Sequence, residues 1–463
     1  MKRRTFALFA AACSAALLSA CSALTPSATP ASLPPIVFVH GNGDSAALWQ
    51  TTLWRFESNG WPRERLYAIN VPYPQSRDDD SKAQPGRTSA AENMAFLKSE
   101  VDKVLQATGA GKVVLFGNSR GGNAIRSYIY DGGGASKVSH AILGGTPNHG
   151  VWAIKGFREG NEFAGTGPYL SALNAPKNAA GDEVSGPVQW LTIRSDNNDK
   201  FAQPDGVWIG AKGTATNITY AGPELKGALN VVIPSIDHRE TAYSPAAFAA
   251  SYRFITGKPP SNSTIAHETS IVLNGLVTGQ GANSNDPNSG TAFNNMPITG
   301  SSIAVYAIDS VAGTRLGSAV HSRSIGADGV WGPVQAKAGQ AYEFEVTAPG
   351  YATTHIYRNA FPRSSSIVHL RAERLAEANK KAAAVVSFTR PRGYFDLARD
   401  TMRFDGISPP PGLPATGAGL AVSKIAYPSM PERAIAASFN GEQLTGRAWP
   451  ASEGHVSILE LQQ

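Results

Sequence analysis

The chain has 463 residues, 42% of them apolar and 16% charged, with 47 glycines and 31 prolines. That length exceeds one ordinary core, so two or three domains are expected, and so little charge, against roughly 25% in a typical soluble chain, argues for turn-rich exported architecture over a cytosolic helical bundle. The formal net charge of +6 falls to +3 when Lys2, Arg3 and Arg4 are set aside, and no basic run remains, which argues against nucleic acid as a partner.

In chain order, Lys2, Arg3 and Arg4 form a positive start, and Phe6 to Leu18 is an apolar stretch too short to span a membrane. Leu18-Ser19-Ala20-Cys21 resembles a bacterial lipobox, so residues 1–21 read as a signal peptide that leaves a lipidated Cys21. Cleavage near Ala20 without lipidation is the alternative. Acyl chains at ~0.8 kcal/mol per buried methylene would hold the protein to a bilayer. The expected location is therefore the cell envelope, as a lipoprotein of the outer membrane, or the secreted fraction. Cys13 leaves with the signal, so the mature chain has at most one cysteine and no internal disulfide. Residues 22–34, rich in Pro, Ser and Thr, read as an extended tether.

Residues 35–260 alternate strand and helix signals. "IVFV" from Ile36 is a buried strand, followed by "HGNGDS". Further strands are expected at Leu66 to Val71, Val113 to Phe116, Val138 to Gly145, Val188 to Ser195 and Ala228 to Ser235. Met94, Leu97, Val101, Val104 and Leu105 recur at helical spacing, which predicts a helix over Ala90 to Ala107. "SPAAFAASYRFITG" is a second helix with a Ser-Pro start and a Gly stop. Alternation of this kind implies βαβ units and a mostly parallel sheet. After "KPPSNST" the texture becomes short strands between Gly, Pro, Asn and Asp turns. Residues 261–375 read as an antiparallel, sandwich-like β-module. "RAERLAEANKKAAA" reads as a short helix or linker, and residues 376–463 as a further β-rich module, separate or packed with the one before it.

"GNSRGG" (Gly117 to Gly122) fits G-x-S-x-G, with a strand before it and a helix after it. A sharp turn there would expose Ser119 at a helix N-terminus, with glycines leaving room around it. Serine is a weak nucleophile and needs a base, which needs an orienting carboxylate. Of the nine histidines, His238 alone follows a strand and precedes a helix in the α/β region; His149 is the runner-up. Between Ser119 and His238, "LTIRSDNNDKFAQPDG" offers Asp199, then Asp196, then Asp205 as the acid. An oxyanion site would use the backbone N–H of Arg120 and that of Asn42, in the glycine-rich loop "VHGNG". No metal is expected: Asp78-Asp79-Asp80 are adjacent carboxylates pointing apart, as in a solvated loop.

"PIVFVHGNGDSAALW", "GNSRGG", "LGGTPNHG", "DNNDKFAQP" and "IDH" together resemble α/β-hydrolases of the bacterial class 2 lipase and esterase group, over roughly Pro35 to Gly257. "IGADGVWGPVQAKAGQAYEFEVTAPGYATTHIYRNAFPRSSSIVHLRA" looks like the β-rich C-terminal extension of archaeal long-chain lipases, where it assists lipid binding. The resemblance implies an α/β-hydrolase fold and ester hydrolysis by Ser119, Asp199 and His238, without cofactor. Two departures stand out. Some relatives carry the acid where this chain has Gly144-Gly145, and the usual His before the nucleophile is Asn118, a candidate for altered substrate preference. Residues 148–187, with Trp152, Phe157, Phe163 and Tyr169, suggest a lid or cap, or else a packed connection.

The expectation is thus a secreted serine ester hydrolase acting on acylglycerols or similar hydrophobic esters at a lipid or polyester surface, anchored to a membrane by its N-terminus. An extracellular polyester depolymerase is the alternative, and a non-catalytic, surface-anchored polymer-binding lipoprotein the second class. If the β-region only binds surfaces, deleting Ser261 to Gln463 should spare turnover of soluble esters.

Overall fold

The computed structural model describes residues 33–204, 213–280, 293–415 and 419–462. The expected signal peptide, Cys21, most of the tether and Asp205 lie outside the described residues. Residues Pro34–Gln463 cluster as one compact unit.

Six strands make a wholly parallel sheet: β1 (Ile36–Val39), β2 (Leu66–Ile69), β3 (Val113–Asn118), β4 (Val138–Gly144), β5 (Gln189–Ser195) and β6 (Leu229–Ile233), in the order β2-β1-β3-β4-β5-β6. The bounds fall within two residues of those expected. The helices are α1 (Gln50–Ser58), α2 (Ala90–Thr108), α3 (Arg120–Tyr130), α4 (Pro168–Leu173), α5 (Glu240–Tyr243) and α6 (Pro245–Thr256). β1 and β3 are buried at every position, as strands covered on both faces must be. Alternate residues serve the two faces. Val37, Val39, Val113 and Leu115 join Leu97 and Val101 of α2 and Tyr128 of α3. Phe38 and Phe116 instead meet Trp49, at 5.2 and 4.7 Å between rings.

α2 is capped at both ends. Ser89 accepts the Glu92 N–H while the Glu92 carboxylate accepts the Ser89 N–H, and Gly109 takes φ +63° beyond the last turn. Strand order reverses between β1 and β3, so a crevice opens at their carboxyl ends, where this fold class places its ligands.

The second half holds β7 (Ile271–Leu273), β8 (Val277–Gln280), β9 (Phe293–Pro297), β10 (Ser302–Ile308), β11 (His321–Ser324), β12 (Val334–Ala336), β13 (Ala341–Thr347), β14 (Thr353–Arg358), β15 (Leu370–Ala372), β16 (Ala384–Thr389), β17 (Met402–Phe404), β18 (Val422–Tyr427), β19 (Ala434–Phe439), β20 (Glu442–Arg447) and β21 (His455–Glu460). A seven-stranded sheet runs β11-β10-β13-β14-β21-β16-β18. β21 lies between β14 and β16 and is parallel to both, so residues 261–375 and 376–463 share one sheet. The other pairings in it are antiparallel.

Two cores flank this sheet. Ile356 and Ile458 point into one with Trp331 and Phe344, whereas the next residues, Tyr357 and Leu459, point into the other with Phe388, Phe404 and Phe439. "RAERLAEANKKAAA" forms no helix beyond one turn at Glu377–Asn379, because its polar run presents no apolar stripe to bury.

The two halves interlock. Trp54 of α1 is buried in the first β-core and donates its Nε1–H to Ser364 O at 2.9 Å. Glu57, on the same helix, pairs with Arg63 at 2.6 Å and Arg363 at 3.0 Å.

Candidate active site

Ser119 stands alone between β3 and α3, at φ +55° and ψ −125°. A non-glycine residue held there carries backbone strain, which neighbouring contacts must sustain. The glycines are what admit the turn. A Cβ at Gly121 would lie 2.3 Å from Val39 O, and one at Gly122 would lie 1.9 Å from Thr146 Oγ1. The Ser119 N–H donates to Gly144 O at 2.9 Å, and Ser119 O accepts from the Gly122 N–H at 2.9 Å.

The loop after β5 brings Asp199 to the loop after β6, which carries His238. His238 Nδ1 is 2.8 and 2.9 Å from the two Asp199 carboxylate oxygens. Asp199 is fully buried, and its Oδ1 also accepts the N–H groups of Phe201 and Ala202 at 2.9 Å. Those donors fix the carboxylate, so Nδ1 keeps the proton and Nε2 presents its lone pair. Among the described residues neither Ser119 Oγ nor His238 Nε2 is held by a protein hydrogen bond; such contacts commonly close only with substrate in place. Asp196 is exposed and instead accepts the Ser235 N–H at 2.7 Å.

Gly145 leaves room for the later loop. It sits at φ +55°, and a Cβ there would lie 2.9 Å from Asp199 Oδ2 and 3.1 Å from His238 Nδ1. Asp199 thus occupies the space that a side chain leaving the end of β4 would need.

Asn118 Nδ2 faces Gly144 O at 3.2 Å, His238 O at 3.0 Å and Thr241 Oγ1 at 3.0 Å. Thr241 Oγ1 in turn donates to His238 O at 2.7 Å. Asn118 is buried against the base loop, which its side chain helps to hold.

At the oxyanion loop, a Cβ on Gly41 would lie 2.8 Å from Ser119 Cβ, so only glycine permits this approach. The Asn42 side chain is taken, with Oδ1 accepting the Ser76 N–H at 2.7 Å. Among the described residues no protein acceptor takes the backbone N–H of Asn42 or of Arg120. His40 braces the loop: its Nδ1–H donates to Gly41 O at 2.9 Å, and its Nε2 accepts the Val71 N–H at 3.1 Å. Burial pushes its pKa down to about 4, so the ring is neutral.

The Arg120 side chain turns away from the serine. It forms a buried, bidentate pair with Glu162 at 2.7 and 2.8 Å and donates to Pro74 O at 3.0 Å and Thr88 O at 2.7 Å. The loop at residues 74–89 and the segment 148–187 are both fastened to it. That segment holds α4 and a small core of Val151, Trp152 and Ala164. His149, the other candidate base, is engaged elsewhere, with Nε2 2.8 Å from Glu183 and Nδ1 2.7 Å from Gly222 O. Asp78, Asp79 and Asp80 diverge, to Arg158 at 3.3 Å, Lys82 at 2.8 Å and the Ala90 N–H at 3.0 Å.

Sequence reasoning missed Phe201, whose ring stacks on His238 at 4.7 Å, and Thr241. It also missed residues 390–399, which reach the same loop from the C-terminal half. "DKF" and "DHRET" hold the first two in plain view, but no periodicity or motif marks a contact made across the fold.

Residues 34–162 match the family model for class 2 lipases, and residues 271–375 match that for the lipase C-terminal domain. By these two matches the chain resembles an α/β-hydrolase of the class 2 lipase group followed by a lipase-type C-terminal extension. Among solved structures it is similar to the mature form of a Bacillus licheniformis lipase (20% identity, 49% of this chain and 93% of that one, TM-score 0.36). It is also similar to a Paleococcus ferrophilus monoacylglycerol lipase (13%, 49% and 96%, TM-score 0.32). With Aspergillus fumigatus lipase B it shares 16% identity over 50% of this chain and 54% of that one, TM-score 0.35, so it spans about half of that lipase's length.

Proposed function

We propose that this chain hydrolyses hydrophobic carboxylic esters through an acyl-enzyme on Ser119. The observation that carries the reading is the buried Asp199–His238 pair behind a serine set in a strained strand-to-helix turn. Ser119 Oγ attacks the acyl carbonyl as its proton passes to His238 Nε2. Asp199 fixes the imidazole tautomer and stabilises the imidazolium. The N–H groups of Asn42 and Arg120 receive the oxyanion, each worth roughly 2.7–4 kcal/mol to the transition state. The alcohol leaves with the proton from His238. Water, deprotonated by the same nitrogen, then cleaves the acyl-serine and releases the acid.

For substrate we propose acylglycerols or similar water-insoluble esters, met outside the cell by a protein tethered through Cys21. Val311, Leu316 and Val320, between β10 and β11, are 81, 60 and 54% exposed and favour an apolar surface as the place of work. The test is turnover against acyl chain length, with and without an emulsified interface. Rates that rise with chain length and jump at the interface support acylglycerols. Rates highest on short soluble esters contradict them, and a preference for polyester film over emulsion assigns the polymer instead.

A further inference from the structure

We infer that Tyr394 and Arg390, from the C-terminal half, are positioning residues for His238; this rests on the Ser119–Asp199–His238 reading. The need arises from topology. The base loop leaves β6, the last strand of the parallel sheet, which is largely exposed and, among the described residues, has no further strand beyond it. The sequence "RPRGY", directly after β16, packs on the base loop itself.

The turn folds back at Gly393. The Gly393 N–H donates to Arg390 O at 3.2 Å, and a Cβ there would lie 2.4 Å from Arg390 Cζ and 2.6 Å from Tyr243 Oη. From this turn the Tyr394 ring stacks on Phe201, 5.2 Å between centroids and 27° between planes. Phe201 stacks on His238 at 4.7 Å and 28°. The Phe201 and Tyr394 rings form one continuous stack behind the imidazole.

The backbone is held as well. Asp237, the residue before His238, is fully buried. Its Oδ2 accepts the Tyr394 N–H and an Arg390 Nη1–H, both at 2.8 Å, while its Oδ1 accepts the N–H groups of Arg239 and Glu240 at 2.8 and 3.0 Å. Arg390 Nη2 also reaches Glu240 at 2.6 Å and Tyr243 Oη at 2.8 Å. The Arg239 guanidinium lies over the Tyr394 ring at 5.0 Å and donates to Pro391 O at 3.1 Å. On the acid side, Asn198 Nδ2, next to Asp199, donates to Asp396 Oδ2 at 3.1 Å. Both triad loops are thus gripped by one segment of the extension. Stacking and backbone bonds fix the ring's plane and depth, and a displacement near 1 Å at such a base can cost ~100-fold in rate.

The test uses the full-length chain and a small soluble ester, p-nitrophenyl butyrate, so that surface binding plays no part. Tyr394→Leu fills the site without stacking, and Tyr394→Phe keeps the stack. Tyr394→Met replaces the leucine variant should that fail to fold. The expected result for Tyr394→Leu is a kcat lowered roughly tenfold to a hundredfold at nearly unchanged KM, with equally slower fluorophosphonate labelling, and near-wild-type behaviour in Tyr394→Phe. A wild-type kcat in Tyr394→Leu, a change in KM alone, or an equal loss in Tyr394→Phe overturns the inference. Full activity in Ser119→Ala would instead overturn the triad reading on which it rests.

Discussion

Asp199 and Gly145 are a matched pair. The acid arrives from the loop after β5, and the glycine leaves space for it at the end of β4. Asp199→Asn should therefore favour the wrong imidazole tautomer and lower kcat roughly 10⁴-fold, while Asp196→Asn stays near wild type. An equal effect of the two in ester turnover would move the acid. Gly145→Ala crowds Asp199 and Thr241 and should reduce kcat more than melting temperature. His40 adds a pH effect. Its pKa is depressed from 6.5 to about 4, so the stability it contributes is present above about pH 6.5 and lost as pH falls through about 4. The shift corresponds to about 3 kcal/mol at most. The stability gap between wild type and His40→Gln, measured by denaturation, should close over that interval; a constant gap contradicts it. The places of Ser119, Asp199 and His238 were legible in sequence because each follows a strand. Gly145's contact could not, since it depends on how two loops meet.

At the scale of elements, the boundaries most legible in the sequence were those with local causes. α2 has its apolar stripe, its Ser89–Glu92 cap and its Gly109 stop, all within one stretch of chain. The turn at Ser119 was legible because glycines flank it. The stretch after β15 was not, since helix propensity without an apolar face loses to the packing of Leu375 and Ala382 on a small core. The segment 148–187 read as a lid or a connection, and its anchor, Glu162, carried no signal. Glu162→Gln leaves the Arg120 charge buried against a neutral partner, and should cost about 3 kcal/mol in urea denaturation. A loss near zero would mean that water replaces the carboxylate and that the segment opens freely.

Over the whole molecule, the sequence divides into an α/β half and a β half, and the structure joins them. Trp54, Glu57 and residues 390–399 cross that boundary, and nothing in linear order marks a tryptophan of α1 as a core residue of a distant sheet. Asn295 also crosses it, donating to Asp44 O and Val71 O at 2.9 Å beside the oxyanion loop. A β-region that served only to bind surfaces could be deleted from Ser261 onward without loss on soluble esters. With these contacts removed, deletion should instead abolish that turnover, and full soluble-ester activity in the truncated chain would return the β-region to a surface-binding role. The account as a whole turns on Ser119. Turnover of p-nitrophenyl butyrate by wild type and by Ser119→Ala, at equal folded concentration, tests it most directly. The account predicts a loss of roughly 10³-fold or more in the variant, with only oxyanion and binding contributions left. Equal rates in the two proteins would contradict it.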